Sequence, residues 1–140
     1  MTYLLDVNAL LALGFHEHEF HERLARWIAG LPPEDVLATC PISELGFVRI
    51  LCQAPQYHIP IEQCRTLLAR LKSARKRRIT FIADGHGAAR LPRWVKTGRQ
   101  TTDGHLCALA AANEATLATL DQGIPGAFII PDIDFSESAS

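Results

Sequence analysis

Four carboxylates stand where the chain is predicted to pass from a strand into a helix or loop: Asp6, Glu44, Asp103 and Asp121. The carboxyl ends of parallel strands meet at one edge of an α/β sheet, so these acids are expected to lie together. Carboxylates that close repel one another, and a bound divalent cation offsets the repulsion. All-oxygen ligation favours Mg²⁺, with Mn²⁺ as a substitute, over zinc. Such a site typically activates water for displacement at a phosphate ester.

The elements that position these acids alternate along the chain. Short apolar runs predict strands at residues 3–5, 36–39, 79–83, 116–120 and 128–130. Helical periodicity follows Asp6, continues from Phe20 to Gly30, and resumes after Pro41, after Pro60 and from Thr101 to Asn113. This alternation predicts an α/β fold with right-handed crossovers and a central, mostly parallel sheet.

Each acid taken alone has a simpler explanation. Glu44 in the first turn of a helix interacts favourably with the helix dipole. Asp84 also follows a strand, but its Asp-Gly context is equally typical of a turn or a helix cap. Asn8 is placed to orient Asp6 from a second layer of contacts. Thr102 fits the N-cap of the helix that carries Asp103.

Composition excludes several classes of protein. The chain has 140 residues, 48% of them hydrophobic, enough for one compact domain. A net charge of −1 leaves no overall basic field, so contacts with nucleic acid must rely on local patches. No apolar run reaches the ~20 residues of a membrane span. Four dispersed cysteines without a C-x-x-C pair predict reduced thiols and a cytoplasmic protein.

Basic residues form two candidate RNA-binding patches. Residues 72–78 hold five cations, which equally suit the end of a helix. A loop around Trp94 carries Arg93, Lys96 and Arg99, and basic residues mixed with an aromatic ring are typical of single-stranded nucleic-acid binding. Arg49 is either a phosphate contact or part of a surface ion pair.

A histidine-rich stretch, with His16, His18 and His21, first suggests a metal motif. It lacks the second histidine of H-E-x-x-H, because Phe20 occupies that position. We therefore predict that these histidines lie in a loop and in the first turn of the following helix.

The chain resembles PIN-domain ribonucleases, in particular the VapC-type toxins of bacterial toxin–antitoxin pairs. The resemblance covers nearly the whole chain and is carried by L-D-V-N at residues 5–8, T-C-P-I-S-E-L-G at 39–46, G-R-Q-T-T-D at 98–103 and A-T-L-D at 118–121. Gly104 and His105 depart from the alanine and aromatic residue common after the third acid, which affects packing or substrate contact.

The resemblance implies a three-layer α/β/α sandwich over residues 1–135, with a short tail at 136–140. It implies Mg²⁺-dependent hydrolysis of RNA (loops of tRNA or rRNA, or mRNA), a homodimer, and inhibition by a cognate antitoxin. Asp6, Glu44, Asp103 and Asp121 match the acidic quartet, with Asp6 and Asp103 as direct metal ligands. Thr102 matches the polar residue before the third acid, and Asn8 the polar neighbour of the first.

Two alternatives remain open from the sequence. A haloacid-dehalogenase-like phosphatase also has an aspartate at the end of its first strand, but it needs a second aspartate where Asn8 stands. A catalytically silent binding module with the same fold is the other alternative. It gives no reason to keep four repelling acids.

Overall fold

The structure is a computed structural model that describes residues 1–74 and 76–133. Residue 75 of the basic run, the predicted tail at 136–140 and the predicted domain end at residue 135 lie outside the described residues. Within them, five strands form one sheet in the order β3-β2-β1-β4-β5, and every neighbouring pair is parallel. The strands are β1 (Thr2–Leu5), β2 (Val36–Thr39), β3 (Ile79–Phe81), β4 (Ala115–Thr119) and β5 (Phe128–Ile129).

Helices cover both faces of the sheet, which confirms the three-layer arrangement. One face carries α1 (Val7–Gly14), α2 (His21–Ala29), α3 (Pro41–Gln53) and α4 (Ile61–Lys72). The other face carries α5 (Thr101–Ala112), preceded by 3-10 turns at Ala88–Arg90 and Gly98–Gln100. Alternate residues of β1 enter the two cores: Leu5 packs with the four-helix side and Leu4 with α5.

Helix boundaries follow the chemistry of their first residues. Asp6 caps α1, and Pro41 opens α3, where its missing N–H costs no hydrogen bond. The predicted cap at Thr102 is wrong, because α5 already begins at Thr101 and Thr102 lies inside its first turn. The Thr101 hydroxyl donates to the carbonyl of Gly98, which joins the preceding 3-10 turn to the helix. No helix in the described part of the chain is both long and apolar enough to cross a bilayer.

A close contact between α1 and α3 fixes the relative position of two helices whose first turns carry site residues. Gly46 of α3 faces Val7 of α1, and a Cβ atom on Gly46 would lie 2.7 Å from Val7 Cγ2. This glycine is therefore required by packing, because any side chain there must push the two helices apart.

Gly46→Ala is expected to lower the free energy of unfolding by about 1–3 kcal/mol through this overlap. Gly30→Ala is the matched control, because its added Cβ would lie 3.7 Å from the nearest atom, the carbonyl oxygen of Trp27. The control should change stability by less than about 1 kcal/mol. Urea unfolding of both variants measures the difference, and equal stabilities would contradict the proposed contact.

Candidate active site

Asp6 is buried at the carboxyl end of β1, with only 5% of its surface exposed. Its backbone N–H donates to the carbonyl of Ala118 (3.1 Å), which extends the β1–β4 pairing by one residue. One carboxylate oxygen accepts the Ala9 N–H at 2.8 Å, and the other accepts the Thr119 hydroxyl. Each oxygen therefore keeps a free lone pair, and the side chain is held in one orientation.

Asp103 and Asp121 act electrostatically on Asp6. The pKa of the Asp6 carboxyl is raised to about 6. Burial is the largest cause and the charges of Asp103 and Asp121 add to it, while the hydrogen bonds from Thr119 and Ala9 act in the opposite direction. Burial and then the charge of Asp121 also raise the pKa of Asp103. The structure therefore places these three acids within electrostatic range of one another at the edge that the sequence predicted.

Thr119 connects two of the three acids. Its hydroxyl donates to Asp6, and its oxygen accepts the backbone N–H of Asp121 at 2.9 Å. Asp121 itself is exposed and accepts the Gly123 N–H at 2.9 Å. Asp103 is half-buried, and its carboxylate has no hydrogen-bond or ion-pair partner within residues 1–74 and 76–133. A buried hydroxyl and an unpartnered carboxylate thus face the same edge.

Glu44 is held differently from the other three acids. Lys72, in the last turn of α4, lies with Nζ 2.7 Å from Glu44 Oε2, and the Thr39 hydroxyl donates to the same oxygen. Lys72 therefore neutralises Glu44, a pairing that sequence analysis did not predict. Lys72 and Glu44 are far apart in the chain, so only the packing of α4 against α3 brings them together.

Sequence reasoning missed the residues that orient the acids: Thr39, Lys72 and Thr119. One signal was available for the two threonines. Thr39 ends β2 and Thr119 ends β4, so they flank the end of β1 on its two sides. Both are fully buried, and a buried hydroxyl needs a partner, here the adjacent acid.

The two predicted supporting residues, Asn8 and Thr102, are exposed. Asn8 lines a hollow beside Asp121 and makes no hydrogen bond to Asp6, which Thr119 and Ala9 orient instead. Thr102 lines a separate hollow of about 270 Å³ with Thr101 and His105. The roles of Asn8 and Thr102 therefore stay predictions about a loaded site.

Asp84 and His105 form a partly buried pair next to this edge. His105 Nε2 contacts Asp84 Oδ2 at 2.5 Å, and the His86 N–H donates to Asp84 at 2.9 Å. Burial alone would raise the pKa of Asp84, but these hydrogen bonds and the histidine charges lower it overall. Asp84 thus serves a structural pairing that ties its loop to α5.

Gly104, which like His105 departs from the family pattern, is required by packing. A Cβ atom on Gly104 would lie 2.3 Å from Val95 Cγ2. The glycine therefore lets the Trp94 loop pack against α5 directly beside Asp103. The sequence alone does not show that glycine is required at position 104, because nothing in it indicates that Val95 contacts Gly104.

Cys107, one turn beyond Asp103, reports the same concentration of negative charge. Burial raises the pKa of its thiol to about 11, and the charges of Asp103 and Asp6 add to the effect. The thiol therefore remains protonated at neutral pH and is a poor nucleophile.

The predicted RNA contacts divide into exposed and engaged cations. Arg49, Arg93, Lys96 and Arg99 are exposed, and within the described residues their side chains make no ion pair or hydrogen bond. In the other patch, Arg77 donates to the carbonyls of Pro32, Asp35 and Leu31, so it ties β3 to the turn after α2. Its role is structural, whereas the Trp94 loop keeps free cations.

The histidine stretch lies in a loop, with His21 beginning α2, as predicted. His21 Nδ1 contacts the Ala12 carbonyl at 2.8 Å, and the His18 ring accepts the Phe20 N–H at 3.0 Å. These hydrogen bonds fix the loop between α1 and α2, and the loop has no metal motif.

The donor set at the carboxyl edge fits Mg²⁺. Among the residues that the structure describes, no three His, Cys, Asp or Glu side chains are grouped closely enough to hold a metal ion by themselves. Mg²⁺ keeps several water ligands and binds proteins through one or two carboxylates, so Asp6 and the unpartnered Asp103 meet its requirement. Zinc is bound more often by histidine nitrogen and cysteine thiolate, and the Cys107 thiol near these acids stays protonated at neutral pH.

The protein is an α/β protein with an acidic site at its strand ends. The site lies at the carboxyl edge of a parallel sheet and contains buried and half-buried acids. The family described as PIN domain matches residues 3–127. The chain therefore belongs to the PIN-domain family. This removes the haloacid-dehalogenase-like phosphatase alternative.

Similar proteins carry the VapC name. The chain is 38% identical over 130 residues to Ribonuclease VapC44 of Mycobacterium tuberculosis, covering 89% of each protein. It is 36% identical over 124 residues to Ribonuclease VapC38 of the same species, covering 86% of each.

Solved structures share the fold at low sequence identity. VapBC2 from Rickettsia felis, bound to a DNA fragment from its promoter, matches with a TM-score of 0.64 at 17% identity, over 92% of this chain and 97% of that one. M. tuberculosis VapC20, a sarcin–ricin loop cleaving toxin, matches with a TM-score of 0.56 at 17% identity, over 97% and 94%. At this identity, the likeness supports the fold alone.

Asp6→Asn is expected to stabilise the metal-free protein at pH 7.5 by about 1–3 kcal/mol. The raised pKa means that folded Asp6 binds its proton more tightly than the unfolded chain does, so wild-type stability falls as pH rises from about 4 to 6. Asparagine keeps the helix cap without the charge.

Urea unfolding of wild type and Asp6→Asn between pH 4 and 8 measures this effect. The difference should vanish near pH 4 and be largest above pH 7. Glu34→Gln, at an exposed turn, serves as the control and should show little difference at either pH. A difference for Asp6→Asn that did not change with pH would contradict the raised pKa.

Proposed function

We propose that this chain is a Mg²⁺-dependent endoribonuclease and the toxin of a type II toxin–antitoxin pair. The observation that carries the proposal is the buried Asp6 carboxylate, held beside Asp103 and Asp121 at a raised pKa in a PIN-domain chain. Its relatives are named ribonucleases, and VapC20 cleaves a structured RNA loop. Structured RNA is therefore the proposed substrate class.

Asp6 and Asp103 are the proposed metal ligands, with Asp121 adding negative charge beside them. A divalent cation bound there would activate water and stabilise charge on the phosphodiester. Thr119 holds Asp6 in the orientation that its two hydrogen bonds define. Glu44, neutralised by Lys72, is proposed to shape the site from the α3 side, where it does not add to the repulsion felt by Asp6. Mn²⁺ is the expected substitute.

The proposed partners follow from the relatives. The Rickettsia felis neighbour was solved as a VapBC pair on promoter DNA, so we propose a cognate antitoxin for this chain as well. We also propose that the protein forms a homodimer and acts in the cytoplasm. The four cysteines are free thiols, which suits a reducing compartment.

Asp6→Asn and Asp103→Asn are each expected to lower the rate of RNA cleavage by on the order of 100-fold or more, because each removes a proposed metal ligand. Purified protein is incubated with bacterial total RNA in Mg²⁺, in Mn²⁺ or in EDTA, and the new RNA ends are sequenced. Cleavage is expected in either metal and not in EDTA.

Glu34→Gln is the matched control, since it removes an exposed acid from the turn that precedes β2, at the opposite edge of the sheet. It should cut like wild type. Wild-type rates for the two aspartate variants in Mg²⁺ would contradict the ligand assignment. A wild-type protein that cuts no RNA would instead support the silent binding module.

Salt is expected to weaken RNA binding through the exposed cations of the Trp94 loop. Replacing Arg93, Lys96 and Arg99 with glutamine should reduce the slope of log affinity against log salt by about 0.7 for each lost phosphate contact. Arg65→Gln is the control, because Arg65 is exposed on α4 and already paired with Glu62 at 3.1 Å. Equal salt slopes for wild type and the triple variant would remove the Trp94 loop from the RNA site.

A further inference from the structure

Phe81 places an exposed aromatic ring at the end of the edge strand β3. Its surface is 51% exposed, whereas Ile79, two residues earlier on the same face, is 8% exposed and packs in the core. A single exposed apolar residue needs no explanation by itself. The position of Phe81 gives it significance, because β3 ends at the same edge as the acids.

Two contacts link this ring to the acidic edge. Phe81 is in register with Thr39, the residue whose hydroxyl donates to Glu44. Lys72 Nζ lies 5.2 Å from the centre of the Phe81 ring and 2.7 Å from Glu44 Oε2. Ring, ammonium and carboxylate therefore form a continuous path from β3 to the candidate site. We call Phe81 and Lys72 together the β3 platform.

The β3 platform has the two features that proteins use to bind single-stranded RNA, an aromatic ring and a cation. Lys72 is held over the ring by a cation–π contact and neutralises Glu44, which lowers the repulsion that an approaching phosphate would meet. The surface of Phe81 is 51% exposed, and the ring packs against no other aromatic ring within the described residues. Bases stack on such rings beside cations that follow the phosphate backbone.

A contact with a second copy of the chain is less favoured at this position. A stable protein interface buries about 800 Å² on each partner, whereas one aromatic ring supplies about 150–250 Å². The charged pair of Lys72 and Glu44 directly beside the ring also suits a polyanionic substrate better than the apolar core of an interface.

We propose that Phe81 stacks against a nucleobase of the RNA substrate next to the cleaved phosphodiester, with Lys72 supporting the ring from its other side. The inference rests on the proposed ribonuclease function and adds a specificity-determining residue to it. Stacking is tolerant of base identity, so the β3 platform would select for an unpaired nucleotide at one position and be indifferent to which base it carries.

The test uses a fluorogenic 12-nucleotide RNA that spans a cleavage site mapped with the wild-type protein. Phe81→Leu keeps the apolar bulk but removes the ring, and it should raise KM about tenfold with kcat within about twofold of wild type. Phe81→Trp should keep KM near the wild-type value. Ile129→Ala is the matched control, because Ile129 is 42% exposed on the opposite edge strand, in register with Thr119, and has no ring.

An abasic scan separates stacking from a general loss of structure. Removing one particular base from the RNA should raise the wild-type KM by a similar factor and leave the KM of Phe81→Leu unchanged. If wild type cuts RNA but Phe81→Leu has an unchanged KM, or responds to abasic positions as wild type does, the inference is wrong while the ribonuclease proposal stands. Phe81→Leu could instead change its oligomeric state in sedimentation and respond to abasic positions as wild type does. That result would also overturn the inference and would indicate a contact between two copies of the chain. If wild type cuts no RNA, the function itself fails.

Discussion

Electrostatic repulsion at the carboxyl edge of the sheet is the constraint on which the rest of this structure depends. Asp6 is taken almost fully out of water beside Asp103 and Asp121, which disfavours its charged form. The fold offsets this cost only in part, with one hydroxyl from Thr119 and one backbone N–H from Ala9. A protein built for stability alone would have an apolar residue or an ion pair there, so the strain points to function.

The four acids are not equivalent, and the difference sets the electrostatics of the edge. Glu44 has a lysine and a hydroxyl as partners, whereas Asp103 has none within the described residues. The repulsion is therefore concentrated on the β1–β4–α5 side. The α3–α4 side is close to neutral and ends in the exposed Phe81 ring. A cation would bind on the negatively charged β1–β4–α5 side, and an RNA strand would approach over the nearly neutral α3–α4 side.

The sequence predicted the parallel α/β fold and the convergence of Asp6, Asp103 and Asp121, because these depend on local periodicity and on the geometry shared by all parallel sheets. Strand β2 and the start of α3 were predicted to the residue, since Pro41 marks the boundary. The contacts that orient the acids were not predictable in the same way. Lys72 reaches Glu44 only through the packing of α4, and Gly104 is required only because Val95 folds back onto it.

Proton release on metal binding shows whether a divalent cation is bound by these acids. If a divalent cation is what draws these acids together, Mg²⁺ must displace the proton that Asp6 retains at its raised pKa of about 6. Calorimetric titration of Mg²⁺ into the RNA-free protein, in buffers of different ionisation enthalpy, counts the protons released. Binding should release about half a proton at pH 6 and close to none at pH 8. Absence of binding, or binding without proton release at pH 6, would contradict the proposed metal site.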